Sequence, residues 1–155
     1  MIVPARLTHI GPLASRMRDA DKRECRALGR TPKEALRMGL VMSSHVLTAI
    51  DAEGSPVAMF GVVAVNMLTG VAHPWFLGTD RVFMHPRELL CIGRKVLTCW
   101  RDEYPCMENI VAADNDRAIR LLKHWGAEFG GEETHRDVTF IRFAFPAIQA
   151  LALAA

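Results

Sequence analysis

The sequence predicts an α+β fold built on one mixed sheet, and three observations carry that prediction. The chain has 155 residues, of which 50% are hydrophobic, enough for one compact core. Its apolar residues switch between strand and helix periodicity in the order β, α, α, β, β, β, α, β, α, β. The strand, helix, strand passage in the middle needs a crossover, which makes part of the sheet parallel.

Val3, Ala5 and Leu7 alternate with more polar neighbours and read as a first strand. Gly11 and Pro12 then introduce a charged helix that runs to about Leu28 and stops at Gly29. Thr31-Pro32-Lys33-Glu34 reads as a capping box: threonine caps, proline suits the first helical position, and glutamate follows three residues after the cap. A second helix should therefore reach about Met42.

From His45 the period changes. HVLTAID, the turn EGSP and VAMFGVVAVNM form two β-rich runs joined as a hairpin, and WFLGTD is a third, reached through a turn from Gly70 to Pro74. Gly61 and Gly70 mark a bulge or bend. Pro86 opens a helix with Leu89, Gly93, Val96, Leu97 and Trp100 on one side and Arg87, Arg94, Lys95, Arg101 and Asp102 on the other; Tyr104-Pro105 ends it. ENIVAAD is the next strand. Ala118, Leu121, Leu122 and Trp125 give the last helix its stripe, and DVTFIRFAF closes the domain as a well-buried strand. The domain spans residues 1–145, and 146–155 form an apolar tail that folds back on the sheet or meets a second copy or partner.

Composition narrows the function. Aromatics are only 7%, so the core rests on Leu, Val, Ile, Met and Ala, with Trp75, Trp100 and Trp125 as its largest members. A net charge of +2 is too small to indicate nucleic acid or a membrane surface. The basic cluster Arg16, Arg18, Lys22, Arg23, Arg26, Arg30, Lys33 and Arg37 is interleaved with Asp19, Asp21, Glu24 and Glu34, which reads as a solvated, ion-paired helix face. Cys25, Cys91, Cys99 and Cys106 form no CxxC pair and no zinc-like grouping with His, so no metal is expected and a reducing cytoplasm is. The opening MIVPARLTHI lacks the apolar run of a signal peptide, and no segment has the length of a membrane span.

The element order, with Asn115, Ala118, Gly126 and the apolar residues after it, resembles the GNAT superfamily of acetyl-coenzyme A dependent N-acetyltransferases. The likeness in residues concentrates in ENIVAADNDRAIRLLKHWGAEF, which looks like the family's fifth strand and following helix. More narrowly, the chain resembles small GNAT-like proteins of T7-like tailed phages, including an internal virion protein family. That likeness rests on Trp75-Phe76, the helix from 86 to 104, Asn115, Arg120 to Lys123, Gly126-Ala127 and Thr134 to Asp137.

The resemblance implies a mixed sheet of about six to seven strands flanked by four helices, with acetyl-coenzyme A lying like an extra strand between 75–79 and 109–114. It assigns Leu77, Gly78, Thr79, Asn115 and Ala118 to the coenzyme, and His85 and Arg87 to its pyrophosphate at the amino end of a helix. The chain departs from the family at two places. FMHPRELLCIG has no glycine-rich turn, Pro86 lacks an N–H and Glu88 adds negative charge. The position of the family's acidic tyrosine, seven after Asn115, is Leu122. Tyr104 is no evident substitute, and Asp80 and Glu108 have no assignable role, so the catalytic residues are unknown.

Helix punctuation accounts for the same motif: Asn115 as N-cap accepting the Ala118 N–H, and Gly126 as the left-handed residue past the end. His73, His85, His124 and His135 read as surface or turn residues, and the eight methionines as core filler. Two functional expectations stand. One is acetyl transfer from acetyl-coenzyme A to an amine; the other is a non-catalytic phage structural or assembly protein, in the host cytoplasm or the virion, that uses the fold as a scaffold. A homo-oligomer is open under either.

Overall fold

The computed structural model describes residues 1–146. The elements are β1 (Ile2–Pro4), α1 (Leu7–Ser15), α2 (Asp19–Ala27), α3 (Pro32–Met42), β2 (His45–Ile50), β3 (Pro56–Asn66), β4 (Val71–Gly78), α4 (Pro86–Glu103), β5 (Cys106–Ala112), α5 (Asp116–His124), β6 (Glu128–His135) and β7 (Val138–Phe145), with a 3-10 turn at Asp80–Met84. The strands form one seven-stranded mixed sheet in the order β1-β2-β3-β4-β5-β7-β6, the expected α+β architecture. Its contacts gather into two units, Met1–Val63 with Pro74–Pro86, and Ala64–His73 with the chain from Arg87 onward.

In the first unit, β1 ends at Pro4, and the chain turns into α1 at Leu7 rather than at Gly11-Pro12. Arg6 starts that helix: its N–H donates to His9 Nδ1 at 3.2 Å, and the same nitrogen lies 3.0 Å from the Thr48 hydroxyl. Pro12 sits inside α1, and its carbonyl accepts from Ser15 Oγ and Arg16 Nε. The single charged helix expected to run to Leu28 is two helices, because the chain leaves helical geometry at Arg18. The described residues thus hold five α-helices rather than four.

α3 begins as expected. Thr31 Oγ1 accepts the Glu34 N–H at 3.2 Å, Glu34 Oε2 accepts the Thr31 N–H at 2.8 Å, and Pro32 takes the first helical position. Ile10, Leu13 and Ala14 of α1, Met17, Cys25 of α2, Leu36 of α3 and Met59 of β3 form this unit's buried cluster. Each of its Ile, Leu and Met side chains contributes about 1.5–3 kcal/mol by leaving water. Trp75 and Leu77 of β4 pack against the cluster.

Trp75 is half-buried rather than a fully buried core residue, and its seat explains why. Its ring lies on Gly39, where an added Cβ would stand 2.4 Å from Cζ2, and its Nε1–H donates to Ser43 Oγ at 2.8 Å. Gly61 produces no bulge against β2: the β2–β3 register runs through Val46↔Gly61 and shifts only between Ala49 and Ile50.

In the second unit, Gly70 makes the expected bend, with φ +68, and β4 starts directly after it at Val71, earlier than WFLGTD. β5 runs antiparallel to β7 from Met107↔Phe145 to Ala112↔Phe140. β6, which has no counterpart in the element order predicted from the sequence, pairs antiparallel with β7 and brings the sheet to seven strands. Leu97, Trp100, Tyr104, Met107, Val111, Phe140, Phe143 and Phe145 are buried here.

Trp125, also half-buried, repeats the Trp75 arrangement on α4. An added Cβ at Gly93 would lie 2.0 Å from its ring, and its Nε1–H donates to the Leu90 carbonyl at 3.1 Å. Arg101, expected on the solvent side of α4, carries its guanidinium 5.3 Å from the centre of the Phe145 ring, and burial lowers its pKa. Apart from Pro146, the apolar tail lies outside the described residues. Among the described residues no helix is long and apolar enough to cross a membrane, and no His, Cys, Asp and Glu grouping could hold a metal.

Candidate functional site

The parity of β4 defines its two edges. Thr79, just past the strand, donates its N–H to the Val57 carbonyl at 2.8 Å and its hydroxyl to the same oxygen at 3.1 Å. Backbone groups alternate direction along a strand, so Leu77 and Thr79 turn theirs toward β3, while Pro74, Phe76 and Gly78 turn theirs to the opposite edge. On that edge Pro74 brings no N–H, which is why a proline is tolerated within the strand. The parallel register of β4 with β5 joins Val71 to Cys106 and Ala72 to Met107, the first two residues of each strand.

At Gly78 this edge is closed by the chain itself. The Gly78 carbonyl accepts the Arg18 backbone N–H at 2.9 Å, and the Gly78 N–H donates to Asp21 Oδ2 at 2.8 Å. Arg18 grips the same carboxylate twice, Nε to Oδ2 at 3.2 Å and Nη2 to Oδ1 at 2.6 Å, and its guanidinium lies 4.8 Å from the centre of the Phe83 ring. Arg18 is 5% exposed and Asp21 2%, so this pair is no part of a solvated helix face. Burial pushes the Asp21 carboxyl above its ordinary range, against the pull of Arg18 and the Gly78 N–H. Breaking such a buried pair on one side costs about 3–5 kcal/mol, because the remaining charge is stranded.

The three residues expected along the coenzyme arm thus have internal partners. Leu77 packs its side chain into the cluster of α1, α2 and α3, Thr79 is 3% exposed and bonded to Val57, and Gly78 is clamped. Phe76, within the 75–79 span but not among the residues assigned to the coenzyme, places its N–H and C=O on the outer edge between Pro74 and Gly78. Strand parity around Pro74 was the signal that could have found it. Arg18 and Asp21 were masked by the charges around them.

His85 follows the 3-10 turn and is exposed; Pro86, Arg87 and Glu88, in the first turn of α4, are exposed as well. The proline removes one of the N–H groups that would face an anion there.

Asn115 and Ala118 come together at the start of α5, where Asn115 Oδ1 accepts the Ala118 N–H at 3.3 Å. At the other end Gly126 has φ +87, its N–H donates to Lys123 O, and Ala127 N–H donates to Leu122 O, both at 3.0 Å. Those two bonds are a Schellman closure. Asp116 in the first turn and Lys123 and His124 in the last suit the helix dipole. Punctuation therefore gives both the motif's asparagine and its glycine a role at the ends of α5. Leu122, at the tyrosine position, is half-buried on α5.

The class that this architecture defines is the fold of the GNAT acetyltransferases. Among solved structures, a GNAT-family acetyltransferase from Bacillus anthracis superposes with a TM-score of 0.69 at 10% identity, covering 94% of this chain and 93% of its own. A GCN5-related N-acetyltransferase from Kribbella flavida gives 0.66 at 16% identity over 94% and 96% of the two chains. A phosphinothricin acetyltransferase from Sinorhizobium meliloti, solved in complex with acetyl-coenzyme A, gives 0.61 at 13% identity over 95% and 88%. Identities this low establish the fold. No family profile and no curated protein sequence matches the chain.

Proposed function

We propose that the chain binds acetyl-coenzyme A and transfers its acetyl group to an amine. The observation that carries this reading is the edge of β4: pairing with β5 is confined to the first two residues of each strand, and beyond them Phe76 turns a backbone donor and acceptor away from β3. An extended amide-bearing arm fits such an edge as an added strand does. The fold likeness supports the same assignment.

When bound, the coenzyme supplies an acetyl thioester, already reactive toward a neutral amine. Phe76 would hold the arm through its N–H and C=O. His85 and Arg87 would place basic side chains at its phosphate end, in place of a backbone nest. Leu122 has no proton to give, so the chain's contribution is to fix the reactants in attack geometry and exclude water, worth several kcal/mol without a positioned acid. The acceptor amine must arrive deprotonated, and turnover should rise with pH until that condition is met.

Calorimetric titration with acetyl-coenzyme A tests the reading. Micromolar binding with a raised melting temperature is expected, followed by thiol release when a panel of primary amines is added. No heat and an unmoved melting temperature at millimolar coenzyme would end it. The second reading, a non-catalytic protein of a phage particle or its assembly, draws on Leu122 and on the clamped Gly78; its test is whether the protein is found in purified particles or assembly intermediates.

A further inference from the structure

We infer that the connection between α1 and α2 is an autoinhibitory clamp, which holds the edge of β4 at Gly78 as a bound strand would and must leave before a ligand can pair along that edge. This rests on the coenzyme reading of β4.

The geometry is that of a substitute strand residue. Arg18 is extended, with φ −56 and ψ 145, between two helices that end at Ser15 and begin at Asp19. A strand laid against Gly78 would give one donor to its carbonyl and one acceptor to its N–H. The Arg18 N–H is that donor, at 2.9 Å, and the Asp21 carboxylate is that acceptor, at 2.8 Å. The guanidinium of Arg18 fixes the carboxylate through two bonds and is itself held over Phe83, so the mimic is rigid. A plain helix–helix turn needs neither group: α1 and α2 are interrupted to deliver them. The Gly78 N–H cannot serve both the clamp and an arm, since it has one hydrogen to give and the Asp21 carboxylate takes it.

The test compares acetyl-coenzyme A binding by the wild-type chain and by the double variant Arg18→Met/Asp21→Leu, which removes both charges together and keeps the volume, an exchange buried ion pairs often tolerate. The variant leaves the Gly78 N–H without its acceptor until ligand supplies one, so binding should tighten by about tenfold, or ~1.4 kcal/mol. Amide exchange at Gly78 should lose protection in the free variant. In the wild-type chain, saturating coenzyme should deprotect the Arg18 amide. Asp21→Asn, which keeps an acceptor but loses the bidentate grip, should tighten binding by a smaller factor and carries the test if the double variant does not fold. Equal affinities would overturn the clamp while leaving the coenzyme reading intact, and weaker binding by the variants would overturn it by making Arg18 and Asp21 part of the site. Absence of binding in every form would overturn the coenzyme reading, and the clamp with it.

Discussion

Replacing Gly39 by alanine should destabilise the chain even though alanine is the better helix former. The magnitude follows from the seat of Trp75. The new Cβ would stand 2.4, 2.7 and 2.8 Å from Cζ2, Cη2 and Cε2 of the ring, where carbon atoms ordinarily approach no closer than about 3.5 Å. The ring cannot shift freely, because its Nε1–H is bonded to Ser43 Oγ and the same nitrogen lies against Gly61. Overpacking of this kind costs about 1–3 kcal/mol, and losing the indole hydrogen bond adds about 1 kcal/mol. Alanine returns about 1 kcal/mol of helix propensity. The net expectation is a loss of about 1–3 kcal/mol, read from urea unfolding followed by circular dichroism with an unchanged slope. In a Trp75→Leu background the clash is absent, and Gly39→Ala should then stabilise by several tenths of a kcal/mol. The same effect in both backgrounds, or a gain in the wild-type chain, would refute the argument.

Asn115→Ala removes the acceptor for the Ala118 N–H and should cost about 1 kcal/mol, lowering the melting temperature by about 2–4 °C with or without coenzyme. An unmoved melting temperature would show that the cap contributes nothing. The Glu34 carboxyl is held below its ordinary range, chiefly by the Thr31 N–H it accepts. A depressed folded pKa means that the stabilisation is present above the unfolded value and disappears as pH falls through the folded one. Glu34→Gln should therefore lower the melting temperature at neutral pH, with the gap to wild type closing in acid; a gap independent of pH would contradict the capping box.

The parts of the fold legible in the sequence are those whose cause is local. Thr31, Pro32 and Glu34 specify the start of α3 among themselves, and Asn115 and Gly126 do the same for the two ends of α5. The parts that escaped are set by distant partners. The stretch from Gly11-Pro12 to Leu28 looks like one charged helix until Gly78, far along the chain, draws Arg18 out of helical geometry. β6, with the polar, glycine-bearing sequence EFGGEETH, has little strand preference of its own and forms because β7 offers it a ladder from His135↔Val138 to Glu128↔Ala144. The candidate site divides the same way. Its family resemblance was visible in order and spacing, while the closure of Gly78 depends on a buried pair hidden among charges that the pattern assigned to solvent.

The two indole seats have an optical consequence. The chain has three tryptophans, and Trp75 is the one within the first unit, with Trp100 and Trp125 in the second. A chain carrying Trp100→Phe and Trp125→Phe would emit from Trp75 alone, a ring bonded to Ser43 at the end of α3 and immediately before Phe76 on β4. Its emission maximum would then follow the packing of the first unit's buried cluster, which Leu77 of β4 also joins, without any label.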